Sequence, residues 1–141
     1  MIRRARKEDM SRVLVMARDF HKSSGVHFPF SAAHASLLFS ASISEPDRCC
    51  FVIEDDGLHG VIAAQAYDYP LANIRAAMES FWWVRPKYWR KMPALIQEYE
   101  DWAAFRDCSI VGMGMIGGAR ASRAFKRLGY EPVEQMFSKR I

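Results

Sequence analysis

Apolar residues fall along this chain in two rhythms, one of about 3.6 residues that marks helices and one of two residues, or unbroken, that marks strands. Ile2 to Ala5 forms a short first strand, and Met10, Val13, Leu14, Ala17 and His21 then trace one helical face, with Glu8 and Asp9 well placed at its start. Ser23, Ser24 and Gly25 break that helix. After Pro29, the segment Ser31 to Ser42 opens on a capping serine and predicts a second helix. Cys49 to Glu54 and Leu58 to Tyr67 are strands, and Asp55, Asp56 and Gly57 between them make a hairpin turn, because aspartate and glycine tolerate positive φ. Pro70 marks the next turn. Ile74 to Val84 returns as a long strand antiparallel to its predecessor, ending in Phe81, Trp82, Trp83 and Val84, a run without alternation that is expected where both sheet faces are covered.

Pro86 ends that strand, and Pro93, favoured at a first helical position, opens a helix to about Arg106 with apolar residues at Leu95, Tyr99, Trp102, Ala103 and partly Ile96. Ser109 to Met115 reads as a glycine-interrupted strand. Ala121, Ala124, Phe125 and Leu128 give a last amphipathic helix closed by Gly129, and Val133 to Arg140 finishes as a strand. The order is strand, two helices, three strands in a meander, helix, strand, helix, strand. No linker, repeat or low-complexity tract divides it, so residues 1–141 are expected to form one α/β domain.

Composition narrows the partners. Half of the 141 residues are hydrophobic, yet no apolar run approaches the ~20 residues a bilayer requires, and no charged-then-apolar leader opens the chain. A cytoplasmic protein without a membrane partner is the expectation. Three cysteines, two of them adjacent at Cys49 and Cys50, make neither an even disulfide framework nor a CxxC metal pair, which points to reduced core thiols and no metal. His21, His27, His34 and His59 show no metal-ligand spacing either. The net charge of +4 favours an acidic partner, a description that a phosphorylated cofactor, a nucleic acid or an acidic protein satisfies.

The charge concentrates between the tryptophan-rich strand and the helix after it. Arg85, Lys87, Arg90 and Lys91 are four cations in seven residues, where unpaired amides and the positive end of a helix already favour an anion. Interleaved as RPKYWRK, the same residues could grip a nucleic-acid backbone with Tyr88 and Trp89 stacking on bases, a short and nonspecific pattern.

Two motifs carry a family resemblance over essentially the whole chain. RASRAFKRLGYEPVEQMFSKRI (Arg120 to Ile141) is similar to the last helix of the GNAT superfamily of acyl-coenzyme A N-acyltransferases, its Gly-aromatic end at Gly129 and Tyr130, and the strand that follows. ESFWWVRPKYWRKMPALIQEYEDWAAF resembles that family's fourth strand, its Val-x-Pro element at Val84 and Pro86, its acetyl-CoA loop and its third helix. Within the family, the tryptophan-rich strand and the Gly-Tyr ending look most similar to short GNAT-like proteins of tailed phages. The resemblance implies a single-domain GNAT fold, a mixed central sheet flanked by helices. It also implies acetyl-CoA as cosubstrate and an amine, small molecule or protein, as acceptor. A homo-oligomer is compatible with it.

Family members hold the coenzyme pyrophosphate on a loop patterned Gln or Arg, two residues, Gly, one residue, Gly or Ala. On this chain the pattern falls on Trp89, Arg90, Lys91, Met92, Pro93 and Ala94, of which only Ala94 fits. Met92 stands where the family has a glycine that lets backbone approach phosphate, and Pro93 removes an amide donor. Arg90 and Lys91 offer side-chain charge instead. With Val84, Arg85, Gly112, Ser122 and Phe125, these residues make up the expected cofactor site. Glu79 lies near the position from which family members supply a general base, and apolar neighbours Phe81 and Trp83 would raise its pKa if it faces the cleft; a solvated glutamate on a strand end is the plain alternative. The family's acid, a tyrosine on the last helix, corresponds to Phe125, which donates no proton, and leaves Tyr130 and Ser122 as substitutes. His27, with Phe28 and Phe30, lies in the connection that lines the acceptor side of similar proteins.

Two functions follow. One is an N-acetyltransferase in which Glu79 assists an unidentified amine. The other is a catalytically degenerate GNAT-fold structural or interaction protein, virion-associated if phage-encoded, favoured by Met92, Pro93 and Phe125.

Overall fold

A computed structural model describes residues 1–115 and 119–141. Five strands form one sheet in the order β1 (Ile2–Arg4), β2 (Arg48–Glu54), β3 (Leu58–Asp68), β4 (Arg75–Val84) and β5 (Cys108–Gly112). The first four pair antiparallel, and β5 joins β4 in parallel. Helices α1 (Met10–Ser24), α2 (Ala32–Ser44), α3 (Met92–Phe105) and α4 (Ala119–Arg127) flank the sheet.

Alternation along the strands sorts the core into two layers. Cys49, Phe51 and Ile53 of β2 face α3 and α4 together with Ile62 and Ala64 of β3, while Cys50 and Val52 face α1 and α2 together with Val61 and Ala63. The adjacent cysteines therefore point into opposite layers, both buried and free. On β4, Trp82 and Val84 pack into the first layer and Phe81 and Trp83 into the second, as the unbroken apolar run predicts.

Local chemistry sets most boundaries where the sequence places them. Ser31 caps α2 by accepting from the His34 N–H, Gly25 ends α1 at φ 71°, and the β2–β3 turn is tight enough that Asp56 and Gly57 both take positive φ. At the sheet's amino end, Arg3 bridges buried Asp9 and Glu54 at 2.8 and 2.7 Å, locking β1 to the entry of α1. Its guanidinium holds the Asp9 carboxyl below the usual carboxylate range.

Three segments differ from expectation. Residues 133–140 form no strand, and the side chains of Val133, Met136 and Phe137 are more than four-fifths exposed. β5 stops at Gly112 rather than Met115, because its pairing with β4 ends at Met78 and Gly112. The basic segment is no open loop but a 3-10 turn, Pro86–Lys91, running directly into α3.

Two features of β4 shape the site. Ser80 is an extra residue in the ladder with β3, since Ala63 pairs with Phe81 and Ala64 with Glu79. Beyond Met78 the edge of β4 that faces β5 has no strand partner among the described residues, and the two parallel strands part there.

Candidate active site

The gap between the parting strands is spanned by three side chains that bond to the segment Gly112–Gly114. Tyr99 of α3 donates its hydroxyl to the Gly112 carbonyl at 3.0 Å, Trp82 donates its indole N–H to the Gly114 carbonyl at 2.7 Å, and Glu79 accepts the Gly114 N–H at 2.7 Å. The glycines leave room for those side chains: a Cβ at Gly112 would lie 2.6 Å from the Met78 sulfur, and one at Gly114 2.6 Å from Glu79 Oε1, so either would displace a flexible side-chain end. The interruption of this strand by glycine is thus the means by which side chains from β4 reach its backbone.

Glu79 is half-buried, and burial pushes its carboxyl from an ordinary 4.5 to about 7. The Gly114 N–H pulls the other way and is weaker. The expected direction is observed, but its cause is different. Phe81 and Trp83 pack against α1 and α2, whereas Ala64, opposite Glu79, faces the α3 layer, so the carboxylate is buried in the gap between β4 and β5.

A basin of about 490 Å³ lies between the start of α3 and α4, carrying Arg90, Arg120, Arg123 and Arg127 around Trp89 and Met92. Residues 120, 123 and 127 recur at helical spacing, so three guanidiniums of α4 meet Arg90 on one concave surface. Its backbone is not a donor cradle. The Tyr88 amide donates to the Arg85 carbonyl and the Met92 amide to the Trp89 carbonyl, so the turn consumes amides that an open loop would present. Arg120 sits 4.4 Å above the Trp89 ring, and Trp89 packs edge-on to Trp82 at 6.1 Å. The basin and the strand gap thus share an aromatic wall, extended by Phe125 at 5.6 Å from Trp82.

Of the residues expected to hold a cofactor, Trp89, Arg90 and Met92 line this basin. Val84 is buried beneath the sheet, and Met92 is largely a core residue. Gly112 belongs to the strand gap. Arg85 and Ala94 are exposed outside the basin lining, and Lys91 lies 5.8 Å from the Tyr88 ring. Ser122 is half-buried and Phe125 buried on α4, neither lining the basin. The sequence reading missed Arg120, Arg123 and Arg127. Their spacing was visible; that α4 turns them toward Arg90 was not.

Of the two substitute acids, Tyr130 is already engaged. Tyr130 donates its hydroxyl to Glu100 at 2.8 Å, and burial with that carboxylate raises its phenol pKa. Ser122 has no hydrogen bond to Glu79 or to Gly112–Gly114 among the described residues. The stacking surfaces needed for nucleic acid are also engaged: Tyr88 lies parallel on His59 at 4.0 Å, and Trp89 carries Arg120. On the opposite sheet face, a groove of about 210 Å³ between α1 and α2 runs over Phe20, His21, Phe30, Leu38, Ser80 and Phe81. Phe30 lines it, while His27 is exposed and His21 engages the Phe28 carbonyl at 2.7 Å.

A mixed sheet parts beside a half-buried carboxylate and a cationic basin, and comparison with known proteins gives the family. The family model described as acetyltransferase (GNAT) family matches residues 3–130, and the chain belongs to that family. No curated protein matches the sequence significantly. Among solved structures, a "predicted acetyltransferase with acetyl-CoA" from Clostridium acetobutylicum is similar at TM-score 0.82 and 11% identity, over 99% of this chain and 95% of that one. The aminoglycoside 6'-N-acetyltransferase AAC(6')-Ih from Acinetobacter baumannii is similar at TM-score 0.77 and 18% identity, over 100% and 99%. A transcriptional regulator from Bacillus halodurans C-125 reaches TM-score 0.79 at 14% identity, over 100% and 99%. At these identities the likeness is one of fold.

Proposed function

We propose that the chain transfers an acetyl group from acetyl-CoA to an amine, with Glu79 as general base. The observation that carries this reading is the Glu79 carboxylate, half-buried where β4 and β5 part, without a cation partner among the described residues and raised toward neutrality by burial. The basin supplies a matching phosphate site. Four guanidiniums suit a diphosphate and a phosphate monoester by charge and by paired N–H geometry, replacing the backbone amides that Met92, Pro93 and the 3-10 turn withdraw.

Glu79 takes a proton from the acceptor ammonium. The freed amine attacks the thioester carbonyl, the C–N bond forms, the nitrogen passes its surplus proton to water, the C–S bond breaks, and the coenzyme leaves as a thiolate. Phe125 offers that thiolate no proton, and none is required, because a thiolate is a stable leaving group near neutral pH. Water supplies the proton afterwards.

A second reading, a GNAT-fold interaction protein without catalysis, is favoured by one feature: Trp82 and Glu79 already bond across the gap an acyl group would enter. Calorimetry separates the two. Saturable binding of acetyl-CoA, weakened about tenfold or more by Arg90→Ala or Arg123→Ala, is expected for the transferase. No binding at millimolar ligand would leave the scaffold.

A further inference from the structure

Gly114 is held on both sides of its Cα by β4, through two adjacent peptide units. Its carbonyl accepts the Trp82 indole N–H, and its own N–H reaches the Glu79 carboxylate, both at 2.7 Å. Gly114 lies beyond the last β4–β5 pair, so no ladder fixes its orientation. We propose that Trp82 is a positioning residue for the transfer reaction: by anchoring the Gly114 carbonyl it restrains the residue whose N–H meets Glu79, and so sets where the base points and how readily it ionises. This inference rests on the acetyltransferase reading for the reaction, but not for the linkage itself.

The geometry isolates that linkage. The groups packed around Glu79 carry little competing charge. Opposite it on β3 is Ala64, from α4 the wall is Phe125, and from α3 the titratable neighbour is Tyr99, whose own ionisation is opposed by the Glu79 charge. Burial raises the Glu79 carboxyl, and the Gly114 N–H opposes it. A carboxylate stabilised by a single peptide donor depends on whatever orients that donor. Trp82 is itself fixed by edge contacts with Trp89 and Phe125, so the indole is a rigid donor.

The test compares wild-type protein with Trp82→Phe and with a shape-matched replacement in which the indole N–H becomes the sulfur of benzothiophene. Carbon-13 NMR titration of the free protein reads the Glu79 carboxyl directly, its resonance assigned by its loss in Glu79→Gln. Both variants are expected to raise the Glu79 midpoint by about one pH unit. They should lower acetyl transfer about tenfold at pH 6 and restore it above about pH 9, with the KM for acetyl-CoA unchanged. An unchanged midpoint in both variants would overturn the proposal, as would a change in Trp82→Phe but not in the benzothiophene protein, which would assign Trp82 to packing alone. A wild-type protein that neither binds nor turns over acetyl-CoA would remove the transferase reading, and the titration would still decide the linkage.

Discussion

Because burial raises the Glu79 carboxyl from 4.5 to about 7, the folded chain keeps a proton there that the unfolded chain releases. Stability is therefore unaffected below about pH 4.5, falls as pH rises through the window from 4.5 to 7, and stays lower above it by about 3 kcal/mol. Glu79→Gln keeps an oxygen to accept the Gly114 N–H and removes the ionisation. Urea unfolding should show the variant about 1–3 kcal/mol more stable than wild type at pH 8 and nearly equal at pH 4.5, while kcat drops by about 10²–10⁴-fold with unchanged acetyl-CoA affinity. A variant no more stable at pH 8 would mean that Glu79 is not ionised in the folded protein there. The identity of this residue was legible from its place before a Val-x-Pro strand end. Its environment was not, because the inserted Ser80 turns Phe81 to the other face and the N–H that meets the carboxylate comes from Gly114, thirty-five residues along the chain.

At the scale of elements, strands and helices with strong apolar periodicity could be read from sequence, and those defined by partnership could not. β2, β3 and α3 follow their periodicity to within about two residues. The segment 133–140 has strand composition, yet the final strand has no ladder among the described residues, which composition cannot reveal. The 3-10 turn at Pro86–Lys91 escaped for a related reason: proline and a run of cations mark an irregular stretch without showing whose carbonyls its amides will meet. Exposure of the carboxyl-terminal segment has a direct consequence. Removing residues 132–141 deletes exposed side chains and no backbone pairing, so the truncated chain should unfold with a stability within about 0.5 kcal/mol of the full chain in circular-dichroism titration. A loss of several kcal/mol would show that these residues complete the sheet in solution.

Across the whole molecule, the order of elements made the architecture accessible, since three meandering strands followed by a helical crossover to a parallel strand leave few arrangements of a single sheet. Function is written in the departure from the expected loop. An amide cradle grips phosphate through short, oriented dipoles, whereas this chain, with a net charge of +4, gathers Arg90, Arg120, Arg123 and Arg127 into an open basin. Such a site works through charges that solvent ions reach. Raising ionic strength from about 0.1 to about 1 M shortens the screening length from about 10 to about 3 Å, comparable to the separation of a guanidinium from the phosphate it pairs. The Kd for acetyl-CoA should accordingly rise about tenfold or more over that range, while kcat at saturating cosubstrate changes little, because Glu79 lies in the strand gap outside the arginine basin. Charge-reversing Arg123→Glu should flatten the slope of log Kd against log salt by removing one of the contacts. A salt-independent Kd would place the phosphates on backbone donors instead, and would return the basin to the status of an ordinary basic surface.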